Sequence, residues 1–130
     1  MADNTYIINQ LYNEISSLNA QIHQNIEKLV RLKQALQNIS MGQGEFFSKK
    51  PLIDQPVLSA ASWAGRRAER FLDMRSDMEE AFNRIGNQDI ERMLTNIEEK
   101  ISYYEAQNRS LESSIASKRS AISQLRNSDK

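Results

Sequence analysis

Cysteine is absent from the 130 residues, which excludes a disulfide framework and a thiolate metal site alike. Glycine and proline are scarce, at four and two, so the chain has few places where it is built to turn. Aromatic residues make up 7% and hydrophobic residues 39%, low for a thick globular core, and this favours long helices that bury a narrow seam. Neither sign of charge dominates. With 17 basic and 17 acidic side chains there is no global field to recruit nucleic acid, an anionic membrane or an acidic substrate. No stretch approaches the ~20 apolar residues of a membrane span. The opening residues, MADNTYIINQLYNE, lack a basic region followed by an apolar run, so no cleaved secretory signal is expected. The sequence reads as a soluble protein and, by length, as one domain.

What is present is a heptad repeat. With position a at Ile8, Ile15, Ile22, Leu29 and Leu36, position d falls on Leu11, Leu18, Asn25, Leu32 and Ile39. Every seam position but Asn25 is aliphatic, a pattern that random sequence rarely supplies. Asn25 has two readings: a buried amide that sets register, or a solvated residue whose contact Ile26 takes over. The repeat predicts a first helix over about residues 5–40, stopped by Gly42 and Gly44.

Residues 41–58 lose all periodicity, carry Pro51 and Pro56, and read as a connection that packs down on the helix ends through Phe46, Phe47, Leu52, Ile53, Val57 and Leu58. Helical pattern resumes at Ser59 or Ser62, either of which suits an N-cap, and continues to about residue 126. Phe71, Met74, Met78, Phe82 and Ile85 form one stripe. Leu94, Ile101, Asn108, Ile115 and Ile122 (a) with Ile90, Ile97, Tyr104, Leu111, Lys118 and Leu125 (d) form another, out of phase with the first. The slip falls at IGNQD, where Gly86 weakens the helix. The second helix is either continuous and bent there, the preferred reading, or broken.

The expected fold is therefore all-α, an elongated antiparallel helical hairpin whose second helix is the longer. A first helix of roughly 37 residues spans about 55 Å, and a continuous second helix about 100 Å. A simple hairpin would then leave about 40–45 Å of the second helix without an internal partner. Its far end still carries Ile97, Ile101, Tyr104, Leu111, Ile115 and Ile122, which are accordingly expected to bind another chain. A fold-back at Gly86 into a three-helix bundle would remove that need.

The only tryptophan, Trp63, stands two residues before Gly65 where the connection becomes the second helix. There an indole can cover the open end of a hairpin, and the missing side chain at Gly65 lets the first helix or a partner helix approach closely. Ala68 keeps the same face small, and Phe71 begins the seam. The plainer reading makes Trp63 the largest residue of a small core.

A helix–turn–helix chain with Trp-x-Gly at its turn resembles the WXG superfamily, the small helical hairpins handled by type VII secretion systems. It is more similar to a longer branch, the small accessory proteins encoded beside LXG-domain toxins in Gram-positive bacteria. The residues that carry the likeness are LSAASWAGRRAERFLDMR and NRIGNQDIERMLTNIEEKISYYEAQNRSLESSI, after an N-terminal heptad helix. The resemblance implies an all-helical, non-enzymatic protein that binds the helical N-terminal region of an LXG-type toxin and helps present it for export. It implies a cytoplasmic location, with export beside the partner left open. The Tyr-x-x-x-Asp/Glu signal of many WXG-type substrates has no match: Tyr103 is followed four residues on by Gln107, and Tyr104 by Asn108.

Other chemistry is weakly supported. His23, the only histidine, falls at solvent-facing position b, and a zinc site without a second histidine or a cysteine is uncommon. The carboxylates between Asp77 and Glu99 lack the inward Glu-x-x-His pairs of a di-iron bundle and read as a charged outer face. Arg66, Arg67, Arg70 and Arg75 are interleaved with Glu69 and Asp73, which leaves little net patch for phosphate. No phosphate loop or nucleophile elbow occurs. Neither a catalytic residue nor a cofactor or metal ligand is expected. The alternative to a toxin partner is self-association, as a coiled-coil structural or adaptor homodimer.

Overall fold

A computed structural model describes residues 4–55 and 65–128. All regular structure among them is helical: α1 (Thr5–Ser48), a 3-10 turn (Lys50–Asp54), α2 (Arg66–Arg84), a π-turn (Ile85–Asp89) and α3 (Ile90–Ser128). The all-α expectation holds, with two long helical stretches packed against each other. The chain divides into two compact units, residues 1–33 with 99–130 and residues 34–98.

In the first unit the start of α1 lies antiparallel to the end of α3. Ile15, Ile22, Ile115 and Ile122 are buried together, with Ile8, Leu11, Leu18 and Leu111 packed around them. The heptad pattern accounts for this, since a and d residues on two antiparallel helices meet along one seam. A polar layer interrupts it. Asn25 and Asn108 are both buried, and the Asn25 Nδ2 donates to Asn108 Oδ1 at 2.9 Å and to Gln107 Oε1 at 3.1 Å. Ile26 is exposed, which decides between the two readings of Asn25 in favour of the buried amide. With Asn25 facing Asn108, heptad steps in opposite directions set Leu18 opposite Ile115 and Ile22 opposite Leu111. Lys118, the one charge on the seam, reaches Glu14 at 2.7 Å, and Asn4 Nδ2 donates to the Leu125 carbonyl at 3.2 Å.

This pairing corrects the length argument. The far end of the second helical stretch is not left without an internal partner, because the first half of α1 covers it.

The second unit departs from expectation at three points. First, α1 does not stop near residue 40 but runs through Gly42 and Gly44 to Ser48. Neither glycine has another group in reach of a Cβ, so both sit as exposed interior helix residues. Each weakens the helix by about 1 kcal/mol relative to alanine, yet the helix gains a docked end. Phe46 stacks on Phe82 with ring centroids 4.0 Å apart, Phe47 meets the same ring edge-on, and Gln43 Nε2 donates to the Gly86 carbonyl at 2.8 Å. Packing overrides propensity here. Pro51 then opens the 3-10 turn, where its missing N–H does no harm.

Second, the helix continues through Gly86 by widening. Ile90 N–H donates to Ile85 O, five residues back, and the flanking residues Arg84, Ile85 and Ile90 keep right-handed helical angles. Inward residues Phe82, Gly86, Ile90 and Leu94 recur every fourth position. Steps of four drift by about 40° each on a regular α-helix, and the wider π-turn absorbs that drift. The out-of-phase stripes in the sequence are thereby joined without a break. Gly86 is buried, and a Cβ there would lie 2.5 Å from Phe47 Cε1 and Cζ.

Third, the stripe through Met74, Met78 and Ile85 is not the packed face. Met74 and Met78 are 65% and 57% exposed. The half-buried face of α2 instead runs through Phe71, Arg75, Glu79 and Phe82.

Gly86→Ala is expected to lower stability despite alanine's better helix propensity. Overpacking against Phe47 costs about 1–3 kcal/mol, against about 1 kcal/mol gained in the helix. Urea unfolding measures the net loss, and adding Phe47→Leu should recover most of it. Asn25→Ala is expected to cost about 1–3 kcal/mol by leaving the Asn108 amide unpaired. The double change Asn25→Leu with Asn108→Leu should restore stability but loosen register. Because the chain is cysteine-free, paired substitutions report register directly. Leu18→Cys with Ile115→Cys should cross-link in the parent, and Leu18→Cys with Ile122→Cys only in the double-leucine background.

Candidate functional site

Of the residues expected at the turn, Trp63 lies outside the described residues, as do Ser59 and Ser62, the expected start of the second helix. Gly65 is described and precedes α2 with φ 73° and ψ −148°. That region is essentially reserved for glycine, and another residue there costs about 1–3 kcal/mol. Among the described residues no group lies within 4 Å of where its Cβ would sit. The positive φ gives this glycine a conformational reason of its own, beside the expected close approach of a neighbouring or partner helix. Its carbonyl accepts the first bond of α2 from Glu69 N–H at 3.3 Å. Ala68 is half-buried, and Phe71 is half-buried with the Arg75 guanidinium 4.7 Å above its ring.

The residues expected to bind a partner lie on seam positions. Ile115 and Ile122 are buried in the core of the first unit and Leu111 packs against it. Tyr104 is half-buried, with the Lys28 ammonium 5.2 Å from its ring centroid and the Tyr103 ring edge-on at 5.3 Å. Ile101 is half-buried in the first unit and Ile97 in the second. None of the six is an open apolar residue on the outside of the molecule.

The open apolar surface lies elsewhere. Met74 and Met78 on α2 and Ile85, the first residue of the π-turn, stand exposed. With Ala81 between the last two they step by four, three and four residues, the spacing of a coiled-coil seam. Long, flexible methionine side chains suit a surface that must mould to a partner. The sequence groups Met74, Met78 and Ile85 with Phe71 and Phe82 in one stripe, because periodicity alone does not say which of two adjacent faces the rest of the chain will cover.

In the first unit a groove of about 230 Å³ opens between α1 and α3, lined by Lys28, Arg31, Leu32, Lys100 and Tyr104. His23 is exposed and lines a separate shallow groove with Glu112 and Arg119, consistent with its expected solvent-facing position. Among the described residues no group of three or more histidine or acidic side chains is placed to hold a metal ion. No described helix is long and apolar enough to cross a membrane.

A carboxyl perturbed by its surroundings sits beside the 3-10 turn. The Glu79 carboxyl on α2 is held above the ordinary glutamate range by a hydrogen bond with the Asp54 carboxyl and by that group's charge. Lys50 and Arg75 pull it the other way without cancelling the shift.

These surfaces sit on a definite class of protein: an all-α chain of paired long helices, with an apolar helix face left open among the described residues. More narrowly, the chain belongs to the YwqH-like family, whose pattern matches residues 7–127. No curated protein and no solved structure matches it.

A raised carboxyl pKa means that the native state binds the proton more tightly than the unfolded chain, so the contribution is present in acid and fades as pH rises through the raised value. The Asp54–Glu79 contact should accordingly be closest at low pH and loosen towards neutrality. Amide exchange at Leu52–Asp54, followed against pH, should show protection falling with rising pH. In Glu79→Gln, whose amide donates to Asp54 without titrating, the protection should persist at neutral pH.

Proposed function

We propose that this protein is a non-enzymatic binding partner for the helical N-terminal region of an LXG-type toxin, and that it accompanies or presents that toxin for type VII secretion. One observation carries the reading: Met74 and Met78 on α2, with Ile85 just after it, form a coiled-coil-spaced apolar stripe that packing among the described residues leaves open. The membership in the YwqH-like family supports it, as does the resemblance of LSAASWAGRRAERFLDMR to the accessory proteins encoded beside such toxins.

The thinness of the core points the same way. Its buried hydrophobic side chains retain 4–8% exposure. A two-helix seam has no third side to close it, and an added helix removes further apolar surface from water at about 25 cal/mol per Å². The stripe on α2 offers such a helix the a and d positions it needs. On this reading the partner helix docks on α2, while Ile115 and Ile122 pack within the chain.

Co-expression with the N-terminal segment of an LXG-type toxin should yield a complex that co-elutes and melts higher than either component. Met74→Glu with Met78→Glu should leave the isolated chain folded and abolish the complex. If the components neither co-elute nor stabilise each other, the reading fails. If the isolated chain has the mass of a dimer and the methionine changes make it monomeric, the same stripe serves self-association.

A further inference from the structure

The groove in the first unit has a charge arrangement that packing within the chain does not explain. In an antiparallel helix pair, each flank of the seam brings like heptad positions together, e beside e and g beside g. On the e flank the pairs are complementary: Lys33 reaches Glu105 at 3.6 Å, and Arg126 donates to the Tyr12 hydroxyl. On the g flank Lys28 and Lys100 occupy facing positions, and Arg31 stands one turn along α1 from Lys28. All three line the same groove. Among the described residues neither Arg31 nor Lys100 makes an ion pair, and Lys28 is engaged only with the Tyr104 ring. Like charges at facing flank positions are unfavourable for the helix pair itself.

We infer that this groove docks an acidic amphipathic helix of a protein partner, with two carboxylates one turn apart set among Lys28, Arg31 and Lys100. The spacing fits, because Lys28 and Arg31 are separated by about 4.5 Å along the helix axis, close to the rise between residues three or four apart on a partner helix. The floor distinguishes a helix from a free anion. Leu32 and Tyr104 lie beneath the cations, and exposed Tyr103 stands edge-on to Tyr104 beside them. A small oxyanion would use none of that apolar surface, whereas a helix with acidic flanks and an apolar stripe uses both. The inference deepens the partner-binding reading and rests on it only in taking the occupant to be a protein helix.

The test titrates the full chain with a labelled synthetic amphipathic helical peptide carrying glutamates four residues apart beside its apolar stripe. Its glutamine counterpart and inorganic phosphate serve as controls. The glutamate peptide should bind about tenfold more tightly than the glutamine one at low salt, as expected for two or three exposed ion pairs acting together. The difference should shrink as ionic strength rises. Lys100→Gln, which relieves the repulsion with Lys28 and leaves the Lys28–Tyr104 contact intact, should melt no lower than the parent yet weaken the peptide about threefold. Equal binding of the two peptides overturns the inference, as does undiminished binding by the folded double variant Lys28→Glu with Lys100→Glu. Phosphate that binds as tightly as the peptide overturns it in favour of a small-anion site. A toxin segment run in parallel separates the two readings. If it binds parent and double variant equally, the groove inference falls and the toxin reading stands. If it binds neither while the glutamate peptide still prefers the parent, the toxin reading falls and the groove inference stands.

Discussion

A primary amide buried in an aliphatic seam must find another polar group at its own level, because an unpaired buried amide costs about 1–3 kcal/mol. Aliphatic layers are nearly interchangeable by comparison, since sliding one helix by a heptad replaces isoleucine and leucine with isoleucine and leucine. The Asn25–Asn108 bond is therefore what distinguishes one alignment of α1 and α3 from its neighbours in the first unit. Other pairings depend on that alignment. Lys118 finds Glu14, Lys33 finds Glu105, and Lys28 comes to lie over Tyr104. Exposed ion pairs contribute little by themselves. They report the register that the amides impose.

The second unit is governed by a different constraint, the room available beside Gly86. A ring as large as Phe47 can reach the backbone there only because no Cβ intervenes. The same residue sits in a π-turn whose carbonyl accepts from Gln43. The aromatic cluster of Phe46, Phe47 and Phe82 thus gathers at the point where the helix is widest. It also explains why α1 outlasts two glycines that would end an isolated helix. Stacked and edge-on ring pairs contribute about 0.5–1.5 kcal/mol each beyond their buried area, comparable to the propensity lost at Gly42 and Gly44.

The surfaces left over after these constraints are met are unlike one another. The side of α2 that carries Met74, Met78 and Ile85 is apolar and pliable, whereas the groove beside Tyr104 is cationic around a small apolar floor. Both features run against the interest of an isolated chain, one by exposing methyl and thioether groups to water and the other by holding like charges together. Under the proposed binding role, a partner helix would relieve both. The YwqH-like family gives that reading a context, and the physical case rests on the residues themselves.

Much of this protein was legible without coordinates, because heptad periodicity reports which residues can share a face. The all-helical class, the seam from Ile8 to Leu32 and the disturbance at Gly86 all follow from that spacing. Spacing does not say which faces meet. Two stripes overlap on α2, and only the positions of Phe46 and Phe47 determine that Phe82 turns inward while Met74 and Met78 stay outside. Nor does a glycine announce whether it ends a helix, as expected of Gly42, or is carried through one by packing further along the chain. Local sequence sets propensities of about 1 kcal/mol per residue. Contacts between distant segments outweigh them, and those exist only once the chain has folded.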